Sequence, residues 1–236
     1  ILLLTIIPAI IHASPQTDTR VREYIMPVRV LWTTPPEGAV VNNTEQLLKP
    51  FSGQITLDGG DVCVMRNNGS PPGILLDFGR ELHGGVQITA ANLKAGSDAS
   101  KTVQVRVRFG ESASEAMSEL GGDKNATNDH AVRDQVTSLP WLGSGEIGNT
   151  GFRFVRIDLV DTNTSVSIKA VRAVYLHHDL PERGSFKCSD ERLNRIWATG
   201  AYTVSLNIQQ YVWDGIKRDR LVWIGDMHPE TSTIGT

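Results

Sequence analysis

The hydrophobic period changes once along this chain, and that single change constrains the fold more than any other feature. From about Val21 to Tyr175, apolar residues recur at every second position. Lys101-Thr102-Val103-Gln104-Val105-Arg106-Val107-Arg108-Phe109 alternates polar and apolar without a break, the pattern of a half-buried antiparallel strand. Phe152 to Leu159 and Ser165 to Val171 repeat it, while Ile74 to Phe78 and Gly85 to Thr89 predict two further short strands. Turn signals separate them: Asp58-Gly59-Gly60, Asn67-Asn68-Gly69 and Gly121-Gly122-Asp123. Only Glu111 to Leu120 reads as a short helix or an irregular excursion. Short strands punctuated by Gly, Asn and Pro, with no helical pattern between them, predict a mostly β fold, a jelly-roll-like β-sandwich.

After Pro181 the period becomes helical. Leu193, Ile196, Trp197, Gly200, Ala201, Val204 and Ile208 fall at i, i+3, i+4 intervals, which predicts one amphipathic helix over 189–210. Ser189 is the expected N-cap, with Asp190 and Glu191 in the first turn near the positive end of the helix dipole. A lone helix with a broad apolar face needs partners to bury it. The expected organisation is therefore a signal remnant over 1–14, an N-terminal β segment over 15–60, a sandwich over 61–180 and the start of an α-domain over 181–236.

Charge narrows the function. Lys and Arg total 23 against 26 Asp and Glu, a net charge of −3, and no basic run stands out. Nucleic acid is thus not an expected partner. Cys63 and Cys188 cannot form a metal knuckle with each other, and their spacing leaves a disulfide open. The apolar run from Ile1 to Ile11 is short against the roughly 20 residues a membrane span needs. Followed by Ala9 to Pro15, it reads as the h-region of a secretory signal, with a buried strand as the alternative; export is expected.

The densest chemistry lies between Tyr211 and Glu230. Asp214, Asp219, Asp226 and Glu230 stand there beside Lys217, Arg218, Arg220, Trp213, Trp223 and His228. Carboxylates beside indole faces suit a sugar: the ring's apolar face stacks on Trp while its hydroxyls meet carboxylates and Arg. Two carboxyl groups with separated pKa values can act as acid and base across a glycosidic bond. The other reading of the same residues is a salt-bridged connector with Trp213 and Trp223 packed as core.

Asp214-Gly215-Ile216-Lys217-Arg218-Asp219-Arg220-Leu221-Val222-Trp223-Ile224-Gly225-Asp226 resembles the signature of α-L-rhamnosidases of glycoside hydrolase family 78. Asp77 to Gly85, Arg108 to Glu111, Gly151 to Ile157, and Gly184 to Trp197 resemble further stretches of that family in the same order. The resemblance implies β-sandwich domains before an (α/α)6 barrel, and inverting hydrolysis of terminal α-L-rhamnosides without cofactor or metal. It places Asp219 at the general acid, with Glu230 as the alternative acid. Asp214 and Asp226 match the aspartates that hold sugar hydroxyls, and Arg218 and Trp223 match the Arg and Trp of the pattern. Gly215-Ile216 stands where the family has Cys-Pro, Val222 where it has Gly, and Asp219 where the acid is more often Glu. The implied general base lies downstream of residue 236, so the 236 residues alone are expected to be inactive. The rival readings are a non-catalytic carbohydrate-binding sandwich and another (α/α)6 glycosidase.

Smaller signals carry less. His177-His178-Asp179 is read as a linker rather than a metal site. Asn128-Asp129-His130 with Arg133-Asp134 is read as a solvated loop, the alternative being a loop that reaches the barrel mouth. The Asn-x-Ser/Thr triplets at Asn42, Asn68, Asn125 and Asn163 are read as unmodified.

Overall fold

The computed structural model describes residues 18–55, 60–94, 102–121, 127–181 and 183–235. The signal-like run and the turn residues Asp58, Gly59, Gly122 and Asp123 lie outside the described residues.

Among the described residues nine strands build one hydrogen-bonded antiparallel sheet: β1 (Val21–Ile25), β2 (Arg29–Thr33), β3 (Ala39–Asn42), β4 (Cys63–Asn67), β5 (Gly73–Lys94), β6 (Thr102–Gly110), β7 (Asp134–Pro140), β8 (Gly143–Leu159) and β9 (Thr164–His177). The two short strands expected at 74–78 and 85–89 are one strand, β5, with two register shifts. Its first residues pair with β2 and with the last third of β8, whereas its later residues pair with β9 and the start of β8. The long strands therefore turn the sheet from a limb of β2, β5, β8, β6 and β7 into a limb of β3, β4, β9, β5 and β8. Gly84 marks the bend: its φ is +140°, and a Cβ there would lie 2.0 Å from the Val174 carbonyl oxygen. The segment expected as a separate unit over 15–60 contributes β1 to β3 to this same sheet.

The alternation in the sequence places the core. Val103, Val105, Val107 and Phe109 of β6 are all fully buried, as are Val155, Ile157 and Leu159 of β8 and Val166 and Ile168 of β9. Phe152 packs edge-on to Phe78 and Phe109, with ring centroids at 5.8 and 5.1 Å. Two of the buried charges sit in ion-pair networks. Arg108, 1% exposed, reaches Asp158 at 2.7 Å and Glu119 at 2.6 Å. Asp77 holds Arg29 and Arg153 and accepts from the Gly79 N–H. Burial pushes its carboxyl up, but those three donors outweigh burial and bring it down to about 2.

The short excursion is a five-residue helix, α1 (Ala113–Met117), capped by the Ser112 side chain on the Glu115 N–H. The long helix α2 spans Glu191–Asn207, and its cap is Asp190, not Ser189: Asp190 Oδ1 accepts from the Arg192 N–H at 2.8 Å. Its foot is anchored on the sandwich, where Leu206 is buried in the sandwich core and the Tyr202 hydroxyl donates to the Glu81 carbonyl. Its upper apolar face is open, with Leu193 and Ile196 exposed at 47% and 58%. A further helix, α3 (Ile224–Ile234), follows, with Pro229 inside it. None of the described helices is long and apolar enough to cross a membrane.

Candidate active site

The site is a loop closed at its base and pressed onto the sandwich. The Asp214 N–H donates to the Leu221 carbonyl at 2.9 Å, and the Leu221 N–H returns to Asp214 Oδ1 at 3.0 Å. Between those two residues Ile216 turns inward, 6% exposed, and joins the sandwich core. It lands on Gly151 of β8, where a Cβ would sit 2.7 Å from Ile216 Cγ1 and 3.1 Å from Lys217 Cβ. Only a residue without a side chain allows that approach. Trp213, also 6% exposed, stands edge-on to the buried His83 at 5.2 Å. Burial disfavours the charged imidazolium and pushes His83 down to about 4.

Lys217 ties the loop to the α1 region. Its ammonium contacts the Glu115 carboxylate and lies 3.7 Å from Glu111, and its side chain is only 12% exposed. Nearby Glu81 has one buried carboxylate oxygen without a hydrogen-bond partner. Burial, and then repulsion from Glu111, push its carboxyl up to about 8.

Asp219 sits at the tip. Its φ is +58° and that of Arg220 is +53°, two consecutive side-chain-bearing residues in the left-handed region. Such conformations persist only where surrounding contacts hold them. Here the Asp219 N–H donates to the His130 carbonyl at 3.1 Å, and Arg220 donates to the Asn149 carbonyl at 2.8 Å and lies over the Trp213 ring. Asp219 Oδ1 meets His130 Nδ1 at 2.5 Å, and Oδ2 lies 3.6 Å from Arg218 Nε. The polar loop read as solvated therefore reaches the candidate acid. Sequence reasoning weighed that outcome but favoured the other, because nothing local connects residue 130 to residue 219.

The remaining candidates divide. Asp226 and Glu230 lie one turn apart on α3, where i and i+4 share a face. Burial, then the charges of Asp226 and Asp214, raise the Glu230 carboxyl, so the structure brings these three together. Arg218 is exposed, with 72% of its side chain accessible. The two tryptophans separate: Trp213 is core, whereas Trp223, at the N-terminus of α3, is 52% exposed. The contacts of Glu81, Glu111, Glu115 and Lys217 went unread in the sequence, where they look like ordinary surface charges.

Other expectations resolve outside the site. His177 stacks on Tyr175 and lies 3.2 Å from Glu23 of β1, whereas His178 Nε2 meets the Gln209 carbonyl and so serves the junction between β9 and the end of α2. Among the described residues no group of three His, Cys, Asp or Glu side chains is arranged to hold a metal. Cys63 and Cys188 are both free, and burial pushes the Cys63 thiol up to about 12.

Residues 181–235 match the family model of the bacterial α-L-rhamnosidase six-hairpin glycosidase domain. A curated relative, an α-L-rhamnosidase of Formosa agariphila, is 32% identical over 78 residues, 33% of this chain and 8% of the relative. A solved rhamnosidase from Klebsiella oxytoca with rhamnose bound superposes with a TM-score of 0.64 at 18% identity, over 91% of this chain and 40% of that one. A family 78 rhamnosidase of Bacillus sp. GL1 gives 0.55 at 18% identity, over 81% of this chain and 18% of that one. The chain spans less than half the length of each of these relatives, and the solved structures share its fold. The likeness to this glycosidase domain thus covers residues 181–235, and the nine described strands precede it.

Proposed function

We propose that this chain is part of a glycoside hydrolase that removes terminal α-L-rhamnosyl groups with inversion. The observation that carries the reading is the presentation of Asp219 at the tip of a loop anchored on the sandwich, held there by His130. In this reading Asp219 protonates the leaving oxygen. Asp214 and Asp226 accept hydrogen bonds from sugar hydroxyls, Arg218 donates to them, and Trp223 offers its face to the ring. A second carboxylate activates water at about 6.5–9.5 Å from the acid. Glu230 is the alternative acid, supported by the direction of its shift, since a general acid must hold its proton near neutral pH. The apolar run 1–11 supports export.

The test is hydrolysis of an aryl α-L-rhamnoside by the full-length gene product, with the released sugar followed by proton NMR. Early appearance of the β-anomer is expected. Early α-anomer would contradict inversion, and binding without turnover would favour a non-catalytic carbohydrate-binding role.

A further inference from the structure

We propose that His130, a residue of the sandwich, is a positioning residue for the Asp219 carboxyl. The inference rests on the reading of Asp219 as the acid, but it concerns a residue outside the glycosidase segment. His130 grips Asp219 twice: its carbonyl accepts from the Asp219 N–H at 3.1 Å, and its Nδ1 meets Oδ1 at 2.5 Å. The first contact fixes the left-handed backbone, and the second fixes the rotation of the carboxyl group. A short carboxylate on a strained turn has few other means of holding its direction. The side chain of Asp219 is 27% accessible, so the carboxyl group remains open to substrate.

The loop that carries His130 is itself rigid. Asn128 accepts from the N–H groups of Arg133 and Asp134 at 3.1 and 3.2 Å and donates to the Asp134 carbonyl at 2.9 Å. Asp134 begins β7 and is paired with Arg106 of β6 through two hydrogen bonds. The Arg133 carbonyl accepts from the Phe109 N–H at 2.7 Å, at the edge of the core. Hydrogen bonds thus tie the loop on both sides of His130 to β6 and β7, and His130 carries the contact on to the carboxyl of the candidate acid. This gives the sandwich a part in catalysis: it holds the proton donor in line with the leaving oxygen, where displacement by about 1 Å costs on the order of 100-fold in rate.

The test uses the full-length protein and two α-L-rhamnosides, one with a nitrophenyl leaving group and one with a sugar or alkyl alcohol. His130→Ala removes only the side-chain contact. It should lower kcat on the alcohol substrate by about 10–100-fold, with KM nearly unchanged, and lower kcat on the nitrophenyl substrate far less. His130→Asn, which returns an amide nitrogen near the place of Nδ1, should recover most of the loss. In an Asp219→Asn background, His130→Ala should have little further effect. Equal losses on both substrates, no recovery by Asn, or an undiminished effect in the Asp219→Asn background would overturn the proposal. Full activity of Asp219→Asn alone would instead show that the acid itself was misassigned.

Discussion

The sandwich and the helical segment treat their apolar residues in opposite ways. In β6, β8 and β9 the inward positions are fully buried, and one cluster spans both limbs. In α2 and α3, Leu193, Ile196 and Ile224 stand open, Ile224 at 84% exposure. The sandwich satisfies its own pattern, whereas the helices display theirs. Only the foot of α2 and the loop after it, through Leu206, Trp213 and Ile216, are buried. Apolar stripes on successive helices are what a domain of helical hairpins packs between its members. The candidate acid lies where the two regimes meet, and its loop is held by the one that is complete.

The largest effect should come from the sandwich core. Phe152→Ala removes a ring packed against Phe78 and Phe109 and should lower stability by about 3–5 kcal/mol, read from urea unfolding. A loss below about 1 kcal/mol would mean that this ring is not tightly packed in the core. Gly151→Val acts at the border. Its branched side chain would displace Ile216 and Lys217, so turnover by the full-length protein should fall on the order of 100-fold. The accompanying stability loss should be about 1–3 kcal/mol, as for overpacking elsewhere.

A pH series sharpens the comparison at the same border. Glu81 is raised to about 8 by burial and by Glu111, against an unfolded value near 4.3. Its folded form holds the proton more tightly, so its contribution is full below about pH 4.3 and is lost as pH rises through 8. Glu81→Gln should therefore raise Tm relative to the parent increasingly between about pH 5 and 8, and least at the acid end. His83 pulls the other way. Lowered to about 4 by burial, it contributes fully above about pH 6.5, and that stability drains as pH falls toward 4. The smallest effect belongs to the open helical face. Ile224→Ser in the 236-residue chain should shift stability by no more than about 0.5 kcal/mol, and a core-sized loss would show that α3 is packed.

How much of this was legible depended on whether a contact is local. Period two placed β6 almost to the residue, because Val103, Val105, Val107 and Phe109 face one way and a strand has no other way to bury them. The continuity of β5 was hidden because Gly79 and Gly84 look like strand ends in sequence, yet here they are bends within one strand. The cap of α2 moved by one residue, since both Ser189 and Asp190 can accept from a first-turn N–H. Helix α3 was missed because Gly225 and Pro229 are poor helix residues, and Pro229 denies a donor to a carbonyl one turn earlier. In the site, the carboxylates and tryptophans were visible as composition. Which tryptophan is buried, and that His130 reaches Asp219, follow from pairings across the whole sheet that no window of sequence contains.

The proposed proton donor is the sandwich-anchored Asp219 rather than Glu230 on the open helix α3. The direct measurement is kcat of Asp219→Asn and Glu230→Gln in the full-length protein, on α-L-rhamnosides with leaving groups of increasing basicity. Asp219→Asn should lose about 100-fold or more on the poorest leaving group and much less on the best, while Glu230→Gln should keep the parent's dependence. The reverse assignment, with the steep dependence on leaving group appearing in Glu230→Gln alone, would contradict it.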